Sequence, residues 1–319
     1  MNKQLFLLSV IVFSLIYSCK YTDREQDKDT VEKTEIKLDY ISPIPVHQDT
    51  LIYYRYDCCF AASLNVRYPA GEPEGTILMF LPYNSFIDSW CILTDFCEKA
   101  LSQNYVLITP NFGNSIYAYE NYDETDIQQK KYPTLKWILE ILIIDIQNQF
   151  GLLKPNQNNF VAGLSMGGRG AVLTAYHLPR IFVGVASISG YFNIAEYKND
   201  QKFIAALGNY EKNPDRWKNQ CVFNDINNYK VPTYIAHGQS DRISQVIQSI
   251  RLYESLKKIH PDIKFTGHFP MTEIYGYGYW AKETDNILDF FDKIKLPLKY
   301  TNTSDSAFNV FINTVFVQK

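Results

Sequence analysis

The sequence has no surplus of one charge. Its 31 Lys and Arg stand against 34 Asp and Glu, for a net charge of -3. The two signs are mixed along the chain, so nothing marks a surface for nucleic acid. No pair of cysteines has the C-x-x-C spacing of a zinc site, which argues against a bound metal. No internal repeat stands out. Histidine is scarce, at five residues. The longest apolar run, from Leu5 to Tyr17, is too short to span a bilayer comfortably. Six cysteines are present. With Cys19 set aside, Cys58, Cys59, Cys91, Cys97 and Cys221 remain, and an odd number cannot pair completely within one chain. Cys58 and Cys59 are neighbours on opposite faces of an expected strand, so they should not pair with each other.

What is present begins with that apolar run. Asn2-Lys3-Gln4 makes a short basic start, and the run ends at Ile16-Tyr17-Ser18-Cys19. The pattern suits a signal peptide over residues 1-18. Its end resembles a bacterial lipobox, with a small residue before a cysteine that receives lipid. Acyl chains on Cys19 would anchor the protein to a membrane without a spanning helix. The expected location is therefore the bacterial cell envelope, lipid-anchored on the outer membrane or the periplasmic face. Residues 19-50 are polar and charged, and read as a tether.

At 319 residues the chain suits one large domain or two small ones, and 46% apolar residues supply a sizeable core. From Leu51 the pattern is one of strands and helices. Leu51 to Asp57 and Phe60 to Tyr68 read as strands. Thr76 to Leu81, Tyr105 to Thr109, Val183 to Ile188 and Pro232 to Ala236 are apolar runs suited to buried strands. Asp262 to about Phe265 opens a last strand. Helices are expected over Ser89 to Leu101, Thr134 to Phe150 behind Pro133, about Ile243 to Ile259, and Ala281 to Lys293. Strands alternating with helical spans predict an α/β fold: a mostly parallel sheet covered by helices, in a single domain over residues 51-295. Residues 296-319 read as a C-terminal extension, with Phe308-Asn309-Val310-Phe311-Ile312 suited to an appended strand or an ordered tail.

One stretch carries chemistry. Asn159 to Leu164 reads as a short buried strand, and Met166 to about His177 as a helix. Gly163, Ser165 and Gly167 between them make G-x-S-x-G, a nucleophile elbow. A serine on so sharp a turn has strained dihedrals, and the flanking glycines let strand and helix approach without Cβ clashes. The Met166 amide, at the start of the helix, is placed to donate to an oxyanion. A serine hydroxyl is a poor nucleophile at neutral pH and needs a base, which in turn needs an orienting carboxylate. Asp241, 76 residues on and just beyond a buried strand, is the candidate acid.

These residues together resemble the esterase group of α/β-hydrolases, close to feruloyl and esterase-D-like enzymes and to prolyl-oligopeptidase catalytic domains. The similarity rests on Gly163-Leu164-Ser165-Met166-Gly167-Gly168, Leu178-Pro179-Arg180-Ile181-Phe182, Ser187-Ile188-Ser189-Gly190 and His237-Gly238-x-x-Asp241, and spans roughly Thr76 to Phe291. It implies hydrolysis of esters, less often of peptides, without a cofactor. Two departures from the family are visible. Its usual His-Gly oxyanion pair reads Leu81-Pro82-Tyr83 here. Proline has no amide hydrogen, so Tyr83 is the expected second donor. The family's base commonly lies in Gly-His-x-x-Trp before the last helix, where this chain reads Tyr275-Gly276-Tyr277-Gly278-Tyr279-Trp280. A tyrosine is a poor base at neutral pH. Among the histidines, His268 follows the last strand in the right chain order and is the candidate base.

The expected function is thus a serine hydrolase that cleaves carboxylic esters through an acyl-enzyme. Ser165, Asp241 and His268 would be catalytic, and the Met166 and Tyr83 amides would hold the oxyanion. Its partners would be a small-molecule or glycan-linked ester and a membrane, with no nucleic acid and no metal. The alternatives are a hydrolase fold that has lost catalysis and serves as a surface binding protein, and a serine peptidase. The loops Asn111 to Tyr132 and Tyr191 to Asn228 border the expected pocket. The tyrosines of the first, Tyr117, Tyr119 and Tyr122, suit either a lid or a packed surface.

Overall fold

A computed structural model of the chain describes residues 49-56, 60-122, 125, 133-224 and 226-297. The expected signal peptide, Cys19, the tether up to residue 48, Cys58, Cys59 and the extension beyond residue 297 lie outside the described residues.

Eight strands form one sheet in the order β1-β2-β4-β3-β5-β6-β7-β8. They are β1 (Thr50–Tyr56), β2 (Phe60–Arg67), β3 (Gly75–Phe80), β4 (Tyr105–Asn111), β5 (Asn159–Leu164), β6 (Gly184–Ile188), β7 (Thr233–Ala236) and β8 (Phe265–His268). β1 pairs with β2, and β2 with β4, in antiparallel fashion. The other pairs are parallel. The expected α/β architecture is therefore the one found.

Helices cover both faces. α1 (Ser89–Leu93), α2 (Phe96–Ser102), α9 (Tyr277–Lys282) and α10 (Thr284–Asp292) lie on one side. α3 (Thr134–Trp137), α4 (Ile143–Phe150), α5 (Met166–His177) and α8 (Val246–Ile259) lie on the other. Two short helices, α6 (Gln201–Leu207) and α7 (Pro214–Asn219), belong to the connection after β6. The period-2 alternation of a strand decides which residue serves which core. In β3, Ile77 and Met79 enter the α10 side, and Leu78 and Phe80 the α5 side. All four are fully buried, which is why the run reads as continuously apolar.

Several boundaries differ from expectation. The helix expected over Ser89 to Leu101 is two. Thr94 is extended (φ -143°, ψ 169°), and its hydroxyl donates to the Trp90 carbonyl, ending α1. A Cys91–Cys97 disulfide spans the break. The helix behind Pro133 contains a π-turn at Ile138–Leu142 and stops at Gly151 in the left-handed region. The helix expected from Ile243 starts at Val246. Asp241 accepts from the Ile243 and Ser244 amides, so those residues close a turn instead. The last strand starts at Phe265, later than expected.

Chain order reverses at β3: β4 lies on one side of it and β5 on the other. A crevice opens at such a point, outside the C-terminal ends of the strands. The segments that follow β3 and β5 carry Tyr83 and Ser165.

Candidate active site

Ser165 occupies the single residue between β5 and α5, with φ 55° and ψ -118°. A β-carbon makes a positive φ costly, so this geometry persists only where its surroundings over-determine it. Here they do. A Cβ at Gly163 would lie 2.0 Å from the Gly167 carbonyl oxygen, and one at Gly167 would lie 2.2 Å from that of Phe80. The close approach that G-x-S-x-G predicts is thus present between strand, helix and the end of β3. The Ser165 amide donates to the Ile188 carbonyl at 2.7 Å, tying the turn to β6. Ser165 is almost wholly buried.

Met166 opens α5, so its amide belongs to the first turn, whose N–H groups have no acceptor within the helix. Phe80 pairs in register with Gly163, so Leu81-Pro82-Tyr83 leaves the sheet beside the elbow. That segment is held from behind. Tyr117 donates its hydroxyl to the Leu81 carbonyl at 3.2 Å, and its ring packs on Gly170 of α5. Tyr117 is therefore a core residue. Tyr119 stacks on His177, and Tyr122 lies under the Arg216 guanidinium. In these three the packed reading of the loop holds.

Asp241 is in the expected loop after β7, and its side chain is sealed from solvent. One carboxylate oxygen accepts from the Ile243 and Ser244 amides at 2.7 and 2.9 Å. The other accepts from the Ser244 hydroxyl at 2.7 Å and pairs with His237 Nε2 at 3.0 Å. Burial alone would raise its pKa, but the hydrogen bonds from His237, Ser244 and Ile243 outweigh it and hold the carboxyl below the ordinary value. His237 is fully buried, with Nδ1 on the Ser249 hydroxyl at 2.7 Å. An ionised Asp241 puts the imidazole proton on Nε2, which leaves Nδ1 to accept from Ser249.

His268 does not meet the serine here, contrary to the sequence-based expectation. It is the last residue of β8, in register with Ala236, which lines up with Ile188 and then Leu164. Three strand spacings separate its Cα from that of Leu164, about 14 Å. Its side chain turns to the α10 side of the sheet. There Nδ1 pairs at 2.9 Å with Glu283, a buried carboxylate between α9 and α10. His268 and Asp241 are not brought together either.

The side chain that reaches Ser165 is Tyr275, whose hydroxyl donates to Ser165 Oγ at 2.6 Å. Burial raises the Tyr275 pKa above the ordinary value of a phenol, with the nearby Asp241 charge adding to the effect. Its ring meets Trp280 edge to face, with centroids 4.9 Å apart. Tyr277, which stands in the histidine position of Gly-x-x-x-Trp, points elsewhere and donates to the Ser89 hydroxyl at 2.8 Å. The residue that contacts Ser165 is thus two positions before the one that the Gly-x-x-x-Trp pattern marks.

Comparison with known proteins agrees with this geometry. Residues 80–266, more than half of the chain, match the Esterase family, described as "Putative esterase". No curated protein matches the sequence. Among solved structures, an S-formylglutathione hydrolase from Agrobacterium tumefaciens superposes with a TM-score of 0.63 at 15% identity, over 78% of this chain and 95% of its own. FphF, a fluorophosphonate-binding serine hydrolase of Staphylococcus aureus, gives 0.56 at 20% identity, over 76% and 98%. A ferulic acid esterase gives 0.58 at 16% identity, over 77% and 98%. At these identities the superpositions establish the fold; the family match establishes the kinship. This chain belongs to the Esterase family and is, as a member of it, a carboxylic ester hydrolase.

Proposed function

We propose that the chain cleaves esters through an acyl-enzyme on Ser165. The observation that carries this reading is the strained serine held between β5 and α5 by Gly163 and Gly167. Nothing in core packing requires a serine at φ 55°, and residues held in such conformations cluster at reaction centres. Attack by Oγ on the acyl carbon would place negative charge on the carbonyl oxygen. The Met166 amide, backed by the α5 dipole, and the Tyr83 amide would hold that charge. Asp241, bonded to His237 and its own turn, contributes a fixed, buried negative charge that acts on Tyr275. Loss of one oxyanion donor costs about 100- to 1,000-fold in kcat. Activities named for structural neighbours suggest thioesters such as S-formylglutathione and ferulic acid esters as first substrates to try.

The same reading places the enzyme at the bacterial cell envelope, held by lipid on Cys19. The Cys91–Cys97 disulfide supports this, because such bonds persist in exported proteins and are rare in a reducing cytosol.

The test is a fluorophosphonate probe with a peptide map. Ser165 should be labelled, and Ser165→Ala should lose both the label and p-nitrophenyl acetate turnover. Absence of label and turnover in folded wild-type protein would replace this reading with that of a binding protein on a hydrolase fold.

A further inference from the structure

We propose that Tyr275 is the proton-transfer partner of Ser165, in the place that a histidine takes in the usual triad. The proposal deepens the ester-hydrolase reading and rests on it. The contact itself is direct and short, 2.6 Å from phenol oxygen to Oγ. The histidines are accounted for elsewhere. His177 stacks on Tyr119, His260 Nε2 pairs with the Ile226 carbonyl, His268 holds Glu283, and both ring nitrogens of His237 are engaged by Ser249 and Asp241. His47 lies outside the described residues. Among the described residues, then, no histidine hydrogen-bonds to Ser165.

A buried phenol cannot act as a free base near neutrality, and it need not. A hydroxyl can accept one proton and give up another in a single step. The two transfers are concerted. As Ser165 Oγ bonds to the acyl carbon, its proton passes to the Tyr275 oxygen. In the same step the Tyr275 proton, which rests on Ser165 in the free enzyme, swings to the alcohol oxygen, whose bond to the acyl carbon breaks. The alcohol leaves neutral, and Tyr275 ends as it began. Water then enters by the reverse sequence: its proton goes to Tyr275, and the Tyr275 proton returns to Ser165 as the acid leaves. No phenolate forms at any stage, so a raised Tyr275 pKa preserves the working form.

The surroundings suit a fixed relay. Trp280 braces the ring, and its indole N–H is anchored on the Ser189 hydroxyl at 3.2 Å. Charge coupling links Tyr275 to Asp241 and Tyr277, which act on it, and to Tyr191, on which it acts. Asp241 is the one carboxylate among them, and its two oxygens are already bonded. None of the three is an imidazole. The pH–rate profile should therefore have no inflection near 6.5, the ordinary histidine pKa.

The experiment compares full-length wild type, Tyr275→Phe and Ser165→Ala on an ethyl ester and on p-nitrophenyl acetate. Circular dichroism checks that each variant is folded. Tyr275→Phe removes only the hydroxyl. It should lower kcat on the ethyl ester about 100-fold or more, as loss of a proton-transfer group does, with KM little changed. In the first turnover on p-nitrophenyl acetate the loss of nitrophenolate release should be smaller, because nitrophenolate leaves without a proton and only the transfer from Ser165 is impaired. The deacylation that follows should slow as it does for the ethyl ester. Equal losses in the first-turnover acylation of both esters would reveal a merely structural role and overturn the relay. So would no loss at all, or a wild-type inflection near pH 6.5 that disappears in His268→Gln. Turnover that depends on Ser165 but ignores Tyr275→Phe overturns the relay alone. Turnover in wild type that survives Ser165→Ala, or none in any protein, overturns the ester-hydrolase reading as well.

Discussion

Glu283 explains His268. A carboxylate with no solvent exposure must find donors, because an unpaired buried charge is far more costly than a paired one. Glu283 finds them in His268 Nδ1, the Tyr234 hydroxyl and the Asn286 amide. The histidine that chain order makes the natural base is thereby spent on the support of two helices. Asp241 shows the same economy, since His237 and its own turn use both of its oxygens. Its folded pKa lies below the ordinary value, so it adds stability at pH values above the unfolded pKa, near 3.9. That contribution is lost as pH falls through the folded pKa. Thermal melts from pH 3 to 7 should show this directly. Asp241→Asn should melt lower than wild type at pH 7, and the gap should close toward pH 3. A gap of constant size would mean that the carboxylate charge is not what stabilises the turn.

At the scale of elements, most of the architecture was legible in the sequence, and the reason is burial. β3, β5 and β6 are covered on both faces, so each appears as an uninterrupted apolar run between polar loops. The elbow was legible because its steric demand is local: three residues in five have to be Gly, Ser and Gly. Helix breaks were not legible. They depend on a threonine hydroxyl reaching back to Trp90 and an aspartate closing a turn at Ser244, and residue periodicity does not record such bonds. The same distinction gives a quantitative expectation. Gly167→Ala sets a methyl against backbone on two sides, with the Phe80 oxygen at 2.2 Å and the Leu81 oxygen at 2.8 Å. No side-chain rotation relieves a backbone clash. The cost should reach roughly 4 kcal/mol, among the largest for single substitutions. At about 2–4 °C per kcal/mol for a chain of this class, scanning calorimetry should find a melting point at least about 8 °C lower. A shift of less than 2 °C would mean that β3 and α5 can part at the elbow.

On the scale of the whole molecule, the catalytic end is where sequence reading ran out. Which side chain contacts Ser165 is set by which of several loop residues points inward, here Tyr275 rather than Tyr277. That choice follows from the path of eight residues between His268 and Tyr277, not from any pattern within them. The opposite holds for anchoring, where the proposal rests on the sequence of a segment outside the described residues. Among the described residues no helix is long and apolar enough to cross a membrane. Ser18-Cys19 offers the lipid. One acyl chain gives only marginal, reversible binding, and stable anchoring takes more than one; a cysteine carrying several acyl groups satisfies that. Expressed in a bacterial host, the wild-type chain should incorporate labelled palmitate and sediment with membranes, and Cys19→Ala should do neither. Detergent should release the wild type and high salt should not, because acyl insertion is apolar whereas charge-mediated attachment is screened. Release by salt alone, or membrane retention of Cys19→Ala without the label, would move the anchor from lipid to a partner.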